Sequence, residues 1–111
     1  MKPSDLQHLG NDDHKIIMGD ALVALDTIED NSVDLIFSDP PYNIGKNFNG
    51  HKDKWNKDED YLNWCYQWLF LCIRKLKTNG SFYVMTSTQF MPFFDIYLRD
   101  KNSFRNCLVL R

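Results

Sequence analysis

Residues 33–42 read Val-Asp-Leu-Ile-Phe-Ser-Asp-Pro-Pro-Tyr, and this stretch is the main clue to the fold class. Its first six residues are mostly apolar, with β-branched and aromatic side chains, which is the pattern of a strand buried on both faces. Two prolines then end the strand, because proline cannot donate to the hydrogen-bond ladder of a sheet. The stretch therefore predicts a strand that delivers Asp39 and Tyr42 to its carboxyl end.

The end of this predicted strand carries a rigid group of hydrogen-bond acceptors. Pro40 and Pro41 fix two φ angles and favour an extended Asp39, so the Asp39 carboxylate lies beside a free Pro40 carbonyl. Open α/β sheets bind ligands beyond the carboxyl ends of their strands. Two acceptors next to the aromatic face of Tyr42 suit a planar group that carries an NH2. We therefore predict a binding and reaction site at these four residues.

A strand and a helix precede the site. Residues 15–18 form a short apolar run that ends at Gly19 and Asp20, and apolar residues then recur at helical spacing up to residue 28. A strand, a short helix and a second strand imply a parallel pair with a right-handed crossover. This arrangement would place Asp20 at the same sheet edge as Asp39. Asp20 can also be an ordinary helix N-cap.

The remaining chain continues the alternation of helices and strands that is typical of an α/β domain. The polar residues 1–13 have no period and predict a flexible lead-in, so the domain covers 14–111. The further predicted elements are a helix over 58–77 that Asn79 and Gly80 end, a strand over 81–86, a helix over 89–99 with Pro92 in its first turn, and a strand over 104–110.

The segment from residue 43 to residue 57 predicts a mobile loop of functional length. It holds the only local concentration of cationic side chains, with two aromatic side chains among them, namely Lys46, His51, Lys52, Lys54 and Lys57 with Phe48 and Trp55. This combination favours contact with the phosphates of a nucleic acid. A solvated loop with two aromatic residues packed onto the domain explains the same pattern.

Composition limits the function classes. The formal net charge of −2 gives no overall basic surface, so any nucleic-acid contact depends on a local patch. The three cysteines, Cys65, Cys72 and Cys107, lack metal-ligand spacing, which predicts buried thiols in a reducing cytoplasm and no metal site. No run approaches the roughly 20 apolar residues of a membrane span, and we expect a soluble cytoplasmic protein without a membrane partner.

The segment Asp39-Pro40-Pro41-Tyr42, followed by Asn43-Ile44-Gly45 and preceded by Ile-Ile-Met-Gly-Asp-Ala-Leu at residues 16–22, resembles the amino-group DNA methyltransferases. The order of the motifs is similar to that of the β group, whose catalytic block precedes the cofactor block. The resemblance covers the chain from about residue 14 onward. It implies a Rossmann-like methyltransferase fold, with a mostly parallel sheet and helices on both faces.

The resemblance also implies a reaction. In this family, S-adenosylmethionine methylates the exocyclic amine of a base flipped out of double-stranded DNA. Asp39 and the Pro40 carbonyl would accept the N6 hydrogens of adenine, with Tyr42 stacked on the base, while Gly19 and Asp20 would lie near the cofactor. Asn43, Lys46, Lys52 and Lys54 would contact DNA. Adenine-N6 methylation, in restriction-modification or by a solitary methylase, is the main prediction, and cytosine-N4 methylation is the alternative.

One part of the family pattern is absent from the sequence. The family carries a glycine-rich Phe-x-Gly-x-Gly segment around the methionine end of the cofactor, and no such segment occurs here. Gly45 and Gly50 lie in the polar loop, where they do not replace it. We therefore expect the N-terminal portion of a methyltransferase. It would be either inactive alone or one half of a split enzyme that needs a C-terminal partner.

Overall fold

The computed structural model describes residues 1–48 and 51–101, and the chain divides into two compact units. The first, called the sheet unit here, comprises Met1–Ser38 and Asn63–Val84. The second, called the loop unit, comprises Asp39–Leu62 and Met85–Arg111.

The sheet unit begins with an antiparallel hairpin. A 3-10 turn at Pro3–Asp5 leads into β1 (Gln7–Gly10), which pairs with β2 (Lys15–Met18). The Asn11 side-chain carbonyl accepts the backbone N–H groups of Asp13 and His14 at 2.9 Å and shapes the turn. Residues 7–10 therefore form a strand instead of a flexible lead-in. The sequence pattern did not indicate this strand because its four exposed residues include a single apolar side chain, Leu9, and show no alternation.

The central strand pair of the sheet unit is parallel. β3 (Val33–Ser38) pairs with β6 (Leu76–Val84), in a register that runs from Leu35 opposite Ser81 to Ser38 opposite Val84. The predicted strand at 33–38 is confirmed, but the prediction that it pairs with residues 15–18 is wrong. The α1 helix (Ala21–Asp26) has six residues, whereas the parallel partner of β3 follows the 18-residue helix α2 (Asp58–Lys75). A longer crossover suits a parallel connection better.

β6 begins earlier than the sequence predicts. Asn79 and Gly80 lie inside this strand, instead of ending the preceding helix. The strand register shifts between Val33 and Leu35, and a Cβ atom on Gly80 would lie 2.8 Å from the Leu76 side chain and 3.0 Å from the Asp34 carbonyl oxygen. Glycine at this position thus lets the two strands approach each other closely at the irregularity.

The outer face of β3 is not covered within the described residues. Leu35 and Phe37 are 59% and 67% exposed, so the prediction of a strand buried on both faces is wrong for the part of the chain that the structure describes. The described sheet has β6 as the only hydrogen-bonded neighbour of β3. A sheet of only two strands leaves such side chains open to solvent.

The α2 helix spans both units, and its charges follow the helix dipole. Its first turn carries Asp58, Glu59 and Asp60, and its last turn carries Arg74 and Lys75. Within the sheet unit, its buried face consists of Cys65, Trp68, Leu69 and Cys72. Arg74 and Lys75 pair with Asp30 at 2.9 and 2.7 Å, and their carbonyl oxygens accept the N–H groups of Asn31 and Ser32. These contacts fix the chain where it enters β3.

The loop unit contains a hairpin and a helix. β4 (Lys46–Phe48) pairs antiparallel with β5 (His51–Asp53) where the sequence predicted a loop without regular structure. The α3 helix (Met91–Lys101) has Pro92 in its first turn, as predicted. The buried side chains of the loop unit include Tyr61, Phe90, Phe94 and Leu98. The predicted strand at 104–110 lies outside the described residues.

The fold is therefore a mixed α/β structure with one parallel strand pair and helices. The α/β class is confirmed, whereas two of the three described strand pairs are antiparallel, which differs from a mostly parallel sheet. Across the described ranges, no helix combines the length and apolar character that crossing a membrane would require.

The two described cysteines, Cys65 and Cys72, are buried, as predicted. Burial raises the pKa of the Cys72 thiol to about 11, and Cys65 is fully buried. We expect a Cys107→Ser variant to react with dithiobis(nitrobenzoate) at pH 8 only after denaturant is added, because the thiolate is the reactive form and folding withholds it. Two thiols should then react. Rapid labelling of the folded variant would contradict the buried placement.

Candidate active site

The predicted site residues lie on a loop of the loop unit, directly after β3. Asp39 and Pro41 are exposed, and Pro40 and Tyr42 are half-buried. The Tyr42 hydroxyl donates a short hydrogen bond to Asp39 Oδ1. This contact holds Oδ1 at the Tyr42 hydroxyl, so Oδ2 is the carboxylate oxygen that is left to accept from a ligand.

Two buried side chains hold this loop. The Tyr61 hydroxyl donates to the Pro41 carbonyl oxygen at 2.6 Å, and Asp53 Oδ2 accepts the Tyr42 backbone N–H at 3.1 Å. In the described part of the chain, no recorded hydrogen bond engages the Pro40 carbonyl. The Asp39 carboxylate and this carbonyl are therefore the acceptors that the loop can offer.

The side chain of Tyr61 is itself fixed by aromatic packing. It is fully buried, and its ring centroid lies 4.9 Å from that of Trp55 in an edge contact and 4.7 Å from that of Phe90. Because α2 begins at Asp58, Tyr61 stands in the first helical turn, with its hydroxyl on the loop. The first turn of α2 thus positions the loop.

Asn43 has an internal role. It is 4% exposed, has a left-handed φ of 60°, and accepts the Trp55 backbone N–H on Oδ1 at 2.9 Å. Its Nδ2 donates to Asp58 Oδ1 at 3.3 Å, and Asp58 Oδ2 accepts from Gln89 at 3.4 Å. Asparagine suits this position because it tolerates left-handed backbone and bonds locally. This placement does not support the predicted DNA contact through Asn43.

The predicted phosphate-binding lysines are only partly described. Lys54 is exposed and follows β5, which leaves its ammonium group available. Lys46 lies in β4 and Lys52 lies in β5, and the structure describes only the backbone of these two residues. Their DNA contacts remain predictions.

Gly19 and Asp20 lie in the sheet unit, between β2 and α1. Asp20 is the N-cap of α1, and its Oδ1 accepts the Leu22 N–H at 2.9 Å. Gly19 has a φ of 153°, and a Cβ atom there would lie 2.4 Å from the Leu6 side chain. The helix-cap interpretation of Asp20 is confirmed. One carboxylate oxygen of this exposed residue is left for other contacts.

Sequence reasoning missed two residues that support the site. Tyr61 lies four residues before Cys65, a helical spacing that could have indicated its burial, whereas no sequence pattern indicated its hydroxyl contact. Asp53 lies between two lysines in a polar segment, where nothing indicated burial. Asp53 is only 4% exposed, and this burial depends on tertiary contacts that the local sequence does not show.

The acceptor geometry of the loop suits a planar amine. No group of three or more metal-ligating side chains occurs among the described residues. The loop offers a carboxylate, a carbonyl and an aromatic ring within four consecutive residues. Such a group accepts the hydrogens of a planar amine and packs on its ring.

The Tyr42–Asp39 contact has a measurable consequence. The hydrogen bond to the Asp39 carboxylate, with a smaller effect of burial, raises the pKa of the Tyr42 phenol above its ordinary value. The stabilisation is fully present below the unfolded pKa and is lost as pH rises through the folded pKa. We expect Tyr42 ring carbon signals to titrate at lower pH in Asp39→Asn. Unchanged titration would contradict the contact.

Comparisons with known proteins agree on one family. A model of the DNA methylase family matches residues 33–111, which is more than half of the chain. The chain is 46% identical over 100 residues to the DNA adenine methyltransferase YhdJ of Escherichia coli (strain K12), covering 90% of this chain and 34% of that protein.

Two further relatives are Type II methyltransferases by name. The chain is 37% identical over 97 residues to the Type II methyltransferase M.BamHI of Bacillus amyloliquefaciens, covering 86% of this chain and 23% of the relative. It is 37% identical over 81 residues to the Type II methyltransferase M.HpaI of Haemophilus parainfluenzae, covering 73% and 26%. The chain thus spans about one quarter to one third of the length of these relatives.

Proposed function

Because the chain belongs to the DNA methylase family, we propose that it supplies the target-base part of the active site of an S-adenosylmethionine-dependent DNA adenine-N6 methyltransferase. The observation that carries this proposal is the loop Asp39–Tyr42. It presents the Asp39 carboxylate and the unengaged Pro40 carbonyl beside the Tyr42 ring, and buried side chains hold it in place.

The loop acts on the amine by accepting hydrogen bonds. An adenine flipped out of duplex DNA presents two N6 hydrogens, which Asp39 Oδ2 and the Pro40 carbonyl oxygen can accept. These bonds draw the nitrogen lone pair out of the ring system and aim it for in-line attack, so catalysis depends on position and charge. The amine then loses one proton. Because Asp39 is exposed, that proton can pass through its carboxylate to water.

Tyr42 has two parts in this proposal. Its ring provides a surface for the base, and its hydroxyl orients the Asp39 carboxylate by donating to Oδ1. A phenol that stays protonated at neutral pH keeps this orientation throughout the reaction. The Asp39 carboxylate therefore stays in one orientation, with Oδ2 free for the amine.

The methyl donor is S-adenosylmethionine, which supplies an electrophilic methyl group when bound. Asp20 fits a role toward it, because one oxygen caps α1 and the exposed side chain retains another acceptor for a hydroxyl or ammonium group. Gly19 keeps the backbone beside it free of a side chain. The glycine-rich segment of the family is absent from these residues. We propose that it belongs to a further part of the enzyme, completing a Rossmann-like fold.

The whole enzyme then consists of more than this chain. The further part either continues the same polypeptide or is a separately encoded C-terminal partner, and the enzyme acts within restriction-modification or as a solitary methylase. Exposed Lys54 contributes a phosphate contact, with Lys46 and Lys52. The carboxylate of Asp39 favours adenine as the target base, and cytosine methylated at N4 is the alternative.

The test is transfer of labelled methyl groups from S-adenosylmethionine to unmethylated DNA. We expect transfer by the natural gene product that contains residues 1–111, together with its downstream-encoded partner if one exists. Purified residues 1–111 alone should transfer none and bind the cofactor weakly. Activity of residues 1–111 alone would overturn the division of the site. Absence of transfer in every combination would overturn the proposed function.

A further inference from the structure

The loop Asp39–Tyr42 cannot hold itself through backbone hydrogen bonds. Pro40 and Pro41 have no N–H group, so Tyr42 is the first residue after Asp39 that can donate one. That N–H is taken by the Asp53 carboxylate, and the Pro41 carbonyl is taken by the Tyr61 hydroxyl. Side chains from outside the loop therefore hold both polar groups of the single peptide that joins Pro41 to Tyr42.

These two contacts decide which carbonyl is left for a ligand. Pro40 and Pro41 offer consecutive carbonyl oxygens, and either could accept from an amine next to Asp39. Tyr61 engages the Pro41 oxygen at 2.6 Å, while no recorded hydrogen bond within the described ranges reaches the Pro40 oxygen. Since the Tyr61 ring is fully buried and packed on Trp55 and Phe90, this choice is fixed before any ligand binds.

Asp53 binds the N–H of the same peptide group from a buried position. It is 4% exposed and accepts the Tyr42 N–H at 3.1 Å, while its own carbonyl oxygen accepts the Gly45 N–H at 2.7 Å. Its second carboxylate oxygen is buried and has no partner within the described ranges. A buried polar atom without a partner costs free energy, so stability alone does not account for a carboxylate here.

We infer that Tyr61 and Asp53 are positioning residues of the proposed methyl transfer: together they commit the Pro41 carbonyl and the Tyr42 amide, so that the Pro40 carbonyl faces the target amine. This inference rests on the proposed function. Neither residue touches the reacting atoms. Their effect reaches the amine through the loop, where a misplacement of about 1 Å can cost on the order of 100-fold in rate.

A kinetic test separates positioning from binding. In the natural gene product, we expect Tyr61→Phe and Asp53→Ala to lower kcat about 10- to 100-fold, with the KM for DNA and for S-adenosylmethionine within about twofold. Asp53→Asn should recover most of the lost rate, because its amide oxygen can still accept the Tyr42 N–H. Tyr83→Phe, on an exposed residue of β6, is the matched control and should leave kcat unchanged.

A second measurement, by NMR, tests the two loop contacts without depending on catalytic activity. In residues 1–111, Tyr61→Phe should shift the 13C signal of the Pro41 carbonyl more than that of Pro40, and Asp53→Ala should speed amide exchange of Tyr42 at least about tenfold. If these changes occur but no protein form methylates DNA, the proposed function fails and the positioning of the loop stands. Unchanged carbonyl signals and exchange, or a loss confined to KM, would overturn the inference.

Discussion

Asparagine in place of Asp39 is expected to lower kcat for methyl transfer at least about 100-fold, while the fold is retained. The carboxylate holds acceptor oxygens toward both Tyr42 and the target amine, whereas an asparagine amide presents an NH2 group to one of them. Loss of one positioned group that stabilises developing charge typically costs about 100- to 1,000-fold. Asp39 is exposed, so little core packing depends on it.

The measurement is initial rate at saturating DNA and S-adenosylmethionine for the natural gene product. Asp26→Asn is the matched control, because Asp26 is an exposed carboxylate at the end of α1. Its rate should equal that of the unmodified protein, and both variants should give unchanged circular dichroism. An Asp39→Asn rate within about threefold of the unmodified rate would contradict the role of this carboxylate.

Alanine in place of Tyr61 is expected to lower the free energy of unfolding of residues 1–111 by about 3–5 kcal/mol. The ring is fully buried between Trp55 and Phe90, and its removal leaves a cavity and an unpaired Pro41 carbonyl. Tyr61→Phe keeps the ring and loses only the hydroxyl contact, so its cost should be about 1 kcal/mol.

Urea denaturation followed by circular dichroism measures both costs. If Tyr61→Ala shows no cooperative transition because it is already unfolded, Tyr61→Phe still gives a value. Tyr83→Ala, on a half-exposed tyrosine, should cost less than about 1 kcal/mol. Equal costs for Tyr61→Ala and Tyr83→Ala would contradict the assignment of Tyr61 to the core of the loop unit.

Sequence predicted the β3 strand and its end, but it did not predict how the strands pair. The β3 strand and the loop after it could be identified because a β-rich run followed by two prolines restricts the backbone locally. Strand pairing depends on partners far apart in the chain. The partner of β3 is β6, beyond an 18-residue helix, whereas local reasoning chose β2. β2 pairs instead with the short strand β1, which has no apolar alternation.

The supporting residues show the same limit. Asp53 and Asn43 are polar residues in a polar segment, and their burial arises from contacts among β5, the start of α2 and the loop. The helical spacing of Tyr61 could have indicated burial, but its hydroxyl contact with Pro41 joins positions 20 residues apart. Local patterns predict which residues are chemically suited to a site, and tertiary contacts decide which residues hold it.

The most direct measurement of the central claim is the identity of the methylated base. DNA from cells that express the natural gene product should contain N6-methyladenine by nucleoside mass spectrometry, and DNA from cells that express its Asp39→Ala variant should lack it. The host should carry no adenine methylase of its own. N4-methylcytosine in place of N6-methyladenine, or equal N6-methyladenine with both proteins, would contradict adenine recognition by the loop Asp39–Tyr42.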